Sequence, residues 1–466
     1  MDGRLYDELL HEIFSKLSNS VSSSLPLVSK RWLHLYRSSR TDLSIKLKRI
    51  DIPTILSLRY FLSQHPFLSS LSIISTSGTS VIEQFDDHLF SITFSFSSCL
   101  STLRFLAFPP SFSALNSLSS SCPLLCSLTI PLLRPFHLFW IASFPRLREL
   151  SICALDGETT EATVHEVDEI KLDLETVTFS GLKRGDTGIG WLWRSCRKLR
   201  KLKLTSCESI GDGGSFQSFN ECLKSVEKLE LRTSRSLVST ILLNLGDNAE
   251  SINSLLIYDG GSAESLLNFI RNCRVPMKEL DFRLPLDLNN HHLLAAASSP
   301  NFKGLARLKL QSCCLVTGEG LKALGIALNS GLEELGLINC DVVGEESGLL
   351  ASLGQQLKRL KVLDLSYNEL LIDKELTSML VSLTCLVELK IRGCKRLTNV
   401  ATMCMLRNCK KLKCLDVMQC SNVGADSIQL LLANMKRLTL IRYEACKMSD
   451  SVRCLASRKF VQIEEA

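Results

Sequence analysis

The sequence contains nineteen cysteines. Cysteine is the residue type here that could support the most kinds of chemistry, because its thiolate binds zinc and forms disulfides. The sequence contains no C-x-x-C and no H-x-x-x-H spacing, which are the usual arrangements of zinc ligands. Cys313 and Cys314 could be combined with His291 and His292 as a metal site, but packing of Cys313 in an apolar core is the interpretation we favour. The sequence therefore predicts no metal and no cofactor.

Other residues that could support catalysis or phosphate binding lack the surrounding motif. The glycines of G211DGG are not followed by Lys-Ser/Thr, so they fit the turn before a helix better than a nucleotide loop. Serine, histidine and aspartate occur without a G-x-S-x-G elbow. His11, His34 and His137 lie in apolar or helical surroundings and are predicted to be structural. We expect a chain that is not an enzyme.

Composition and charge restrict partners and location. The net charge of +6 arises from 54 basic and 48 acidic residues, which predicts neither a nucleic-acid nor a membrane partner. The N-terminus, MDGRLYDELLHEIF, has acids where a secretory signal would be apolar, so we expect reduced thiols in the cytoplasm or the nucleus. The uncharged stretch between Arg104 and Arg134 contains several prolines and serines, which favours a buried segment over a membrane helix.

A repeated nine-residue pattern, L-x-x-L-x-L-x-x-C/N, must position most of these residues. Its centres follow one another at intervals of 27, 28, 26, 26 and 26 residues. They are Leu308, Leu335, Leu363, Leu389, Leu415 and Ile441. Eroded copies continue upstream through L199RKLKLTSC and L147RELSI to about Leu68. Such a period indicates one supersecondary unit stacked many times.

The alternation L-x-L predicts a short strand with two side chains in the core, and the final residue occupies the turn that follows. A small polar side chain can satisfy turn backbone groups there while it stays buried. The positions concerned are Cys207, Cys313, Cys340, Asn368, Cys394, Cys420 and Cys446. Between strands, T317GEGLKALGIALNSG predicts a helix with Thr317 as its cap and Gly331 as its stop.

This pattern resembles the cysteine-containing class of leucine-rich repeats, in which a further Cys precedes the first Leu. The segments C122PLL, C196RKL and C409KKL match that extra position. The resemblance implies an α/β fold: a horseshoe-shaped solenoid with parallel strands on its concave face and helices on its convex face.

Residues 5 to 36 do not follow the repeat. Leu9, Leu10, Ile13, Phe14 and Leu17 form one apolar helical stripe, and a second one contains Leu25, Val28, Trp32 and Leu35. About forty residues of this kind bury too little apolar area to be stable without a partner or a neighbouring domain.

The same residues resemble an F-box, whose pattern is L-P-x-E-[LI]-[LI]-x-x-I-[FL]-x-x-L followed by L-V-[SC]-K-x-W. Leu5 to Leu17 match the first part and Leu27 to Trp32 the second. The usual proline is Tyr6, and the middle helix is the serine-rich N19SVSSS with Pro26. The alternative is that these helices only cap the solenoid.

An F-box followed by leucine-rich repeats, a combination abundant in plants, implies the substrate receptor of an SCF-type ubiquitin ligase. Its partners would be a Skp-type adaptor, through it a cullin and a RING subunit, and an unknown target protein. The implied adaptor-binding residues are Leu5, Leu9, Leu10, Ile13, Phe14, Leu17, Val28 and Trp32. The alternative is a repeat scaffold or ligand sensor without a role in ubiquitination.

Residues that face outward from the strands form a basic run with one aromatic side chain. The candidate target-binding residues are Lys203, Arg232, Tyr258, Arg283, Lys309 and Arg392. Such a run could bind an acidic or phosphorylated segment, and the alternative is an ordinary solvated strand face.

The predicted organisation is an F-box over residues 1–45, irregular repeats with serine-rich insertions over 46–145, a regular solenoid over 146–458 and a tail over 459–466.

Overall fold

A computed structural model describes residues 6–17, 25–75, 86–96, 99–156, 170–211, 213–284, 287–444, 446 and 449–464. The chain divides into two compact units, Met1–Cys222 and Leu223–Ala466. The serine-rich segment predicted as the middle F-box helix, residues 19–24, and Leu5 lie outside the described residues.

The first unit contains parallel strands that pair in chain order, each with the next. These strands are β1 Asp42–Leu47, β2 Ser70–Ser75, β3 Thr102–Leu106, β4 Ser127–Leu133, β5 Glu149–Leu155, β6 Thr176–Ser180 and β7 Lys201–Thr205. The helices are α1 Asp7–Lys16, α2 Lys30–Ser39, α3 Ile52–Ser63, α4 Asp86–Phe94, α5 Phe112–Ser121, α6 Ile189–Ser195 and α7 Gly213–Leu223, the last of which ends at the first residue of the second unit. Short 3-10 helices occupy Leu25–Leu27 and Phe139–Ser143.

The second unit has the same organisation, with parallel strands paired in chain order. These strands are β8 Lys228–Arg232, β9 Ser254–Tyr258, β10 Glu279–Arg283, β11 Arg307–Gln311, β12 Glu334–Ile338, β13 Val362–Asp364, β14 Glu388–Lys390, β15 Cys414–Asp416, β16 Leu440–Arg442 and β17 Gln462–Glu464. The helices are α8 Arg235–Asn248, α9 Ala263–Asn272, α10 Asn290–Ser298, α11 Gly318–Ala327, α12 Val342–Glu345, α13 Leu349–Gln356, α14 Asp373–Leu380, α15 Asn399–Asn408, α16 Ala425–Asn434 and α17 Asp450–Arg458. A 3-10 helix covers Pro300–Phe302.

The predicted α/β leucine-rich-repeat solenoid is confirmed. The alternate leucines of the repeat stack on one another in register, as Leu308 does on Leu335 and Leu389 on Leu415. These four side chains are buried. Each repeat therefore buries its apolar side chains against the repeats on either side, which is why one copy cannot fold alone.

Two strands lie where the sequence predicted none. β1 begins within the predicted F-box and pairs with β2, and β17 lies in the predicted tail and pairs with β16. Neither segment carries the leading leucine of the repeat, so the pattern does not mark them. Backbone hydrogen bonds from the neighbouring parallel strand add each of these two segments to the sheet.

Buried thiols donate hydrogen bonds between repeats. Cys394 Sγ lies 3.1 Å from the carbonyl oxygen of Leu365, and Cys420 Sγ lies 3.0 Å from that of Ile391. Burial raises the pKa of the Cys394 thiol to about 12. These contacts agree with the turn role predicted for the cysteines, except that Cys446 is exposed.

The N-terminus of α11 in the second unit is capped by a side chain of the following repeat. The predicted cap Thr317 makes no side-chain cap bond to α11. Instead, the Gly318 amide donates to Glu346 Oε2 at 2.7 Å, and Lys322 Nζ donates to Glu346 Oε1 at 2.6 Å. The helix ends at Ala327, before the predicted stop at Gly331. Capping from another repeat leaves no local sequence signal, which explains the wrong prediction for Thr317.

Candidate protein-binding surfaces

The two N-terminal helices pack against each other through the residues on one side of each predicted stripe. Leu10 and Phe14 of α1 are each only 2% exposed, and the Phe14 ring lies 5.2 Å from the ring of Trp32 in α2. Ser29 caps α2 by accepting a hydrogen bond from the Trp32 amide at 3.2 Å. Leu10, Phe14 and Trp32 therefore hold this helical module together.

The opposite side of the same helices is open to solvent. Leu9 is 48% exposed and Ile13 44%, and they lie one turn apart on α1. Beside α2, Leu27 is 85% and Val28 58% exposed, and Tyr6 before α1 is 77% exposed. We call Tyr6, Leu9, Ile13, Leu27 and Val28 the N-terminal apolar patch.

The predicted adaptor-binding residues thus divide into two groups. Leu9, Ile13 and Val28 belong to the exposed patch, whereas Leu10 and Phe14 are buried within the module. Leu17 and Trp32 are half-buried, and Leu5 lies outside the described residues. The sequence analysis did not assign Tyr6 or Leu27 to the surface. A helical stripe shows which residues are apolar, but it does not show which of them face the other helix.

The module is joined to the first repeat of its unit. Arg37 Nη1 of α2 donates to Gln64 Oε1, at the end of α3, at 2.9 Å. His11 on α1 lies 3.2 Å from the Ser38 carbonyl oxygen, so this predicted structural histidine contacts the backbone of the second helix. The bond between Arg37 and Gln64 supports a module attached to the repeats over an independent domain.

The outward side of the strands in the second unit carries most of the predicted target-binding residues, and their charges are paired. Arg232 Nε lies 3.2 Å from Glu230, and Lys309 Nζ lies 2.6 Å from Glu334 on the neighbouring strand. These pairs are half-buried. The basic run that the sequence suggested is therefore neutralised by acids that belong to the same surface.

The same neutralisation occurs at two further arginines. Arg283 donates to Asp281 at 2.7 and 2.8 Å, and these hydrogen bonds raise the pKa of the Arg283 guanidinium above its ordinary value. Arg392 lies 3.1 Å from Asp416. Both carboxylates are buried, so the arginines cover them. Whether these residues bind a target stays a prediction.

The last strands show a regular alternation of charge at their third positions. Asp364, Lys390, Asp416, Arg442 and Glu464 are adjacent in register, so negative and positive side chains follow one another across the sheet. Neighbouring strands lie about 4.8 Å apart, which places Lys390, Asp416 and Arg442 each between two charges of opposite sign. A partner that bound here would contact alternating positive and negative side chains, which together produce little net electrostatic field.

The remaining candidates from the sequence have local structural contacts. Tyr258 is half-buried on β9, and Lys203 is half-buried on β7 of the first unit. His292 is buried and lies 2.8 Å from the Ala263 carbonyl oxygen, whereas His291 and Cys314 are exposed.

Three further observations concern metal binding, the turn at Gly211 and membrane-spanning helices. Among the described residues, no group of three or more His, Cys, Asp or Glu side chains is arranged to hold a metal ion. The turn at Gly211 leads into α7, with residue 212 outside the described range. In the part of the chain that the structure covers, no helix has the length and apolar character to cross a membrane.

A family model described as Leucine Rich repeat matches residues 195–214, which contain β7 and the turn after it. Among solved structures, the "Crystal structure of Rad7 and Elc1 complex in yeast" aligns with a TM-score of 0.48 and 14% identity, over 98% of this chain and 92% of that chain. The repeat match and the stacked parallel strands support a leucine-rich-repeat solenoid as the fold of this chain. Solenoids of this kind present an extended strand surface for binding.

Proposed function

We propose that this chain is the substrate-recognition subunit of an SCF-type E3 ubiquitin ligase. The N-terminal module would bind a Skp-type adaptor, and the repeats would bind the target protein. The observation that supports this proposal most directly is the N-terminal apolar patch, in which five large side chains are exposed on a module whose own core is already filled. Several large apolar side chains exposed on so small a module indicate an interaction site.

The exposed fractions set the size of the expected effect. Full burial of a Leu or Ile side chain contributes roughly 1.5–3 kcal/mol. Because Leu9 and Ile13 are about half buried already, contact with a partner would contribute about 1 kcal/mol each. Loss of both side chains should therefore weaken adaptor binding about thirtyfold, which corresponds to about 2 kcal/mol.

The chain would contribute no covalent chemistry. The cullin and RING subunits would bring the charged conjugating enzyme, and the repeats would hold the target close to it. A location in the cytoplasm or nucleus is part of the same proposal. It is supported by the hydrogen bonds that buried thiols donate between repeats.

The experiment is co-expression with a Skp-type adaptor followed by affinity purification and a measurement of the dissociation constant. Leu9→Ala combined with Ile13→Ala should weaken binding about thirtyfold without loss of the repeat fold. Trp32 is a poorer site for mutation because its ring packs on Phe14.

The matched control is Ile326→Ala combined with Leu430→Ala, two exposed apolar residues on α11 and α16. This control should bind the adaptor as the wild type does. Adaptor binding that survives the Leu9 and Ile13 substitutions unchanged would refute the assigned surface. A wild-type chain that binds no Skp-type adaptor would favour the scaffold alternative, in which the module only caps the repeats.

A further inference from the structure

Positive charge collects along one edge of the second unit, where each helix turns back into the next strand. Residues 358–361, 410–413 and 436–437, which we call the basic edge, contain six lysines, two arginines and no acid. All eight basic side chains are exposed. Like charges gathered in this way repel one another and oppose folding, so their concentration is not explained by stability.

Backbone hydrogen bonds place these segments in one row. The Val387 amide donates to the Lys361 carbonyl at 2.7 Å, the Lys413 amide to the Val387 carbonyl at 2.7 Å, and the Thr439 amide to the Lys413 carbonyl at 2.8 Å. Successive positions are therefore one strand spacing apart, about 4.8 Å. Lys361 and Lys413 consequently lie about 10 Å apart, with the uncharged Val387 between them.

Carboxylates of the chain do not neutralise this edge as they neutralise the strand surface. Within the described residues, only Lys361 of the eight forms an ion pair, with Glu333 at 2.7 Å. Lys410 Nζ donates to the Leu406 carbonyl at 2.5 Å, and Lys411 Nζ lies 3.6 Å from Cys385 Sγ. On the strand surface, by contrast, the basic side chains meet acids of the same unit at 2.6 to 3.2 Å, as at Lys309 and Arg232.

We infer that the basic edge binds an extended acidic polypeptide segment in which carboxylates flank an apolar residue. In an extended polyproline II conformation the chain advances about 3.1 Å per residue with three residues per turn, so acids three positions apart lie on one side of the peptide and span nearly all of the about 10 Å between Lys361 and Lys413. An apolar residue between these acids would pass over Val387 and Cys385, which are half-buried and uncharged. The inference concerns residues outside both the N-terminal apolar patch and the strand surface, and it requires no adaptor.

The composition of the basic edge favours a polypeptide over a nucleic acid. Single-stranded nucleic acids are bound by aromatic side chains on which bases stack, and the basic edge contains no aromatic residue. Lysines outnumber arginines, although the arginine fork is the better group for phosphate. The uncharged gap at Thr384, Cys385 and Val387 also interrupts the row, which suits separated carboxylates better than a continuous phosphate backbone.

The test is fluorescence anisotropy with the full chain and a fluorescein-labelled peptide made of three Glu-Glu-Leu-Glu-Glu units. The variant carries Lys411→Gln, Lys413→Gln, Lys436→Gln and Arg437→Gln. At about twofold per exposed charge contact, the variant should bind at least about tenfold more weakly. A peptide with Gln in place of Glu should not bind, and added salt should weaken the wild-type complex.

The matched control makes the same change of net charge at the other end of the repeats, where strands lead into helices, through Arg235→Gln, Lys374→Gln, Lys395→Gln and Arg396→Gln. It should bind the acidic peptide within about threefold of the wild type, because these exposed cations lie away from the basic edge. Equal weakening in both variants would show a general charge effect and overturn the inference. So would tighter binding of single-stranded DNA, or of vesicles containing phosphatidylserine, than of the acidic peptide.

Carbodiimide cross-linking of the wild-type chain gives an answer that does not depend on the folding of any variant. Activation of a peptide carboxylate and attack by a lysine amine form an amide at the contact. Mass spectrometry should find the peptide on Lys411, Lys413 or Lys436. Cross-links confined to lysines elsewhere on the chain would contradict the assigned surface.

Discussion

Replacing Asn368 with alanine should remove three hydrogen bonds, two of which join neighbouring repeats. Asn368 is 4% exposed and occupies the position held by cysteine in the other copies. Its Oδ1 accepts from the Cys340 amide at 2.8 Å, and its Nδ2 donates to the carbonyl oxygens of Leu337 and Leu365 at 2.7 Å each. The side chain thus satisfies three backbone groups that have no access to water.

The magnitude follows from these three groups. Each net hydrogen bond contributes about 1 kcal/mol, and a buried group left without a partner costs about 1–3 kcal/mol. We therefore expect Asn368→Ala to lower the free energy of unfolding of this region by about 3–5 kcal/mol. Asn368→Cys should cost less, about 1–2 kcal/mol, because a thiol can still donate to a carbonyl of the preceding repeat, as Cys394 does.

The assay is native-state hydrogen exchange of the Cys340 amide, combined with urea unfolding followed by circular dichroism. Exchange reports the local effect even where a repeat protein does not unfold in one step. A loss of about 3 kcal/mol corresponds to roughly a hundredfold faster exchange in Asn368→Ala. Asn422→Ala is the control, since its exposed amide makes a single bond, to the Lys395 carbonyl at 2.8 Å. Unchanged Cys340 protection with a stability loss under about 1 kcal/mol would refute the reasoning.

Three further predictions concern a carboxylate, a glycine and the thiols. The hydrogen bond from Lys322 lowers the pKa of Glu346 below its ordinary 4.5, so its contribution, under about 1 kcal/mol, is present at neutral pH and lost as pH falls through the lowered pKa. The difference in urea midpoint between wild type and Glu346→Gln should therefore shrink below pH 4.5, and a difference that stays constant in acid would contradict this. Gly393 has a φ of +72°, and a Cβ there would lie 2.7 Å from the Tyr367 ring. Gly393→Ala should cost about 1–3 kcal/mol in thermal unfolding, whereas the control Gly304→Ala, which meets no atom within 4 Å, should change stability by less than about 0.5 kcal/mol. Iodoacetamide should modify exposed thiols of the native chain long before buried ones, because burial removes access and raises the thiol pKa. Rapid labelling of Cys394 would contradict the burial of this thiol between repeats. The thiols expected to react first are Cys99, Cys314, Cys446 and Cys454.

The period of the repeat made most of the fold predictable. Every copy from Leu68 to Ile441 coincides with a strand, because the L-x-L alternation acts within a few residues and determines which side chains enter the core. The same local pattern predicted buried turn positions for most of the cysteines that end a repeat pattern. It also predicted the position of the helices between strands. It failed for β1 and β17, where pairing with a neighbouring strand replaces the missing leucine.

The surfaces were decided by the tertiary structure, because they depend on contacts between residues one repeat or more apart. The sequence identified an apolar N-terminal stripe, but only the packing of α1 on α2 separates buried Leu10 from exposed Leu9. It suggested a basic run on the strands, but the register of neighbouring strands pairs Lys309 with Glu334. Exposed lysines such as Lys411 and Lys413 lie instead where the helices end, and whether a lysine meets an acid depends on which residues the folded chain places beside it.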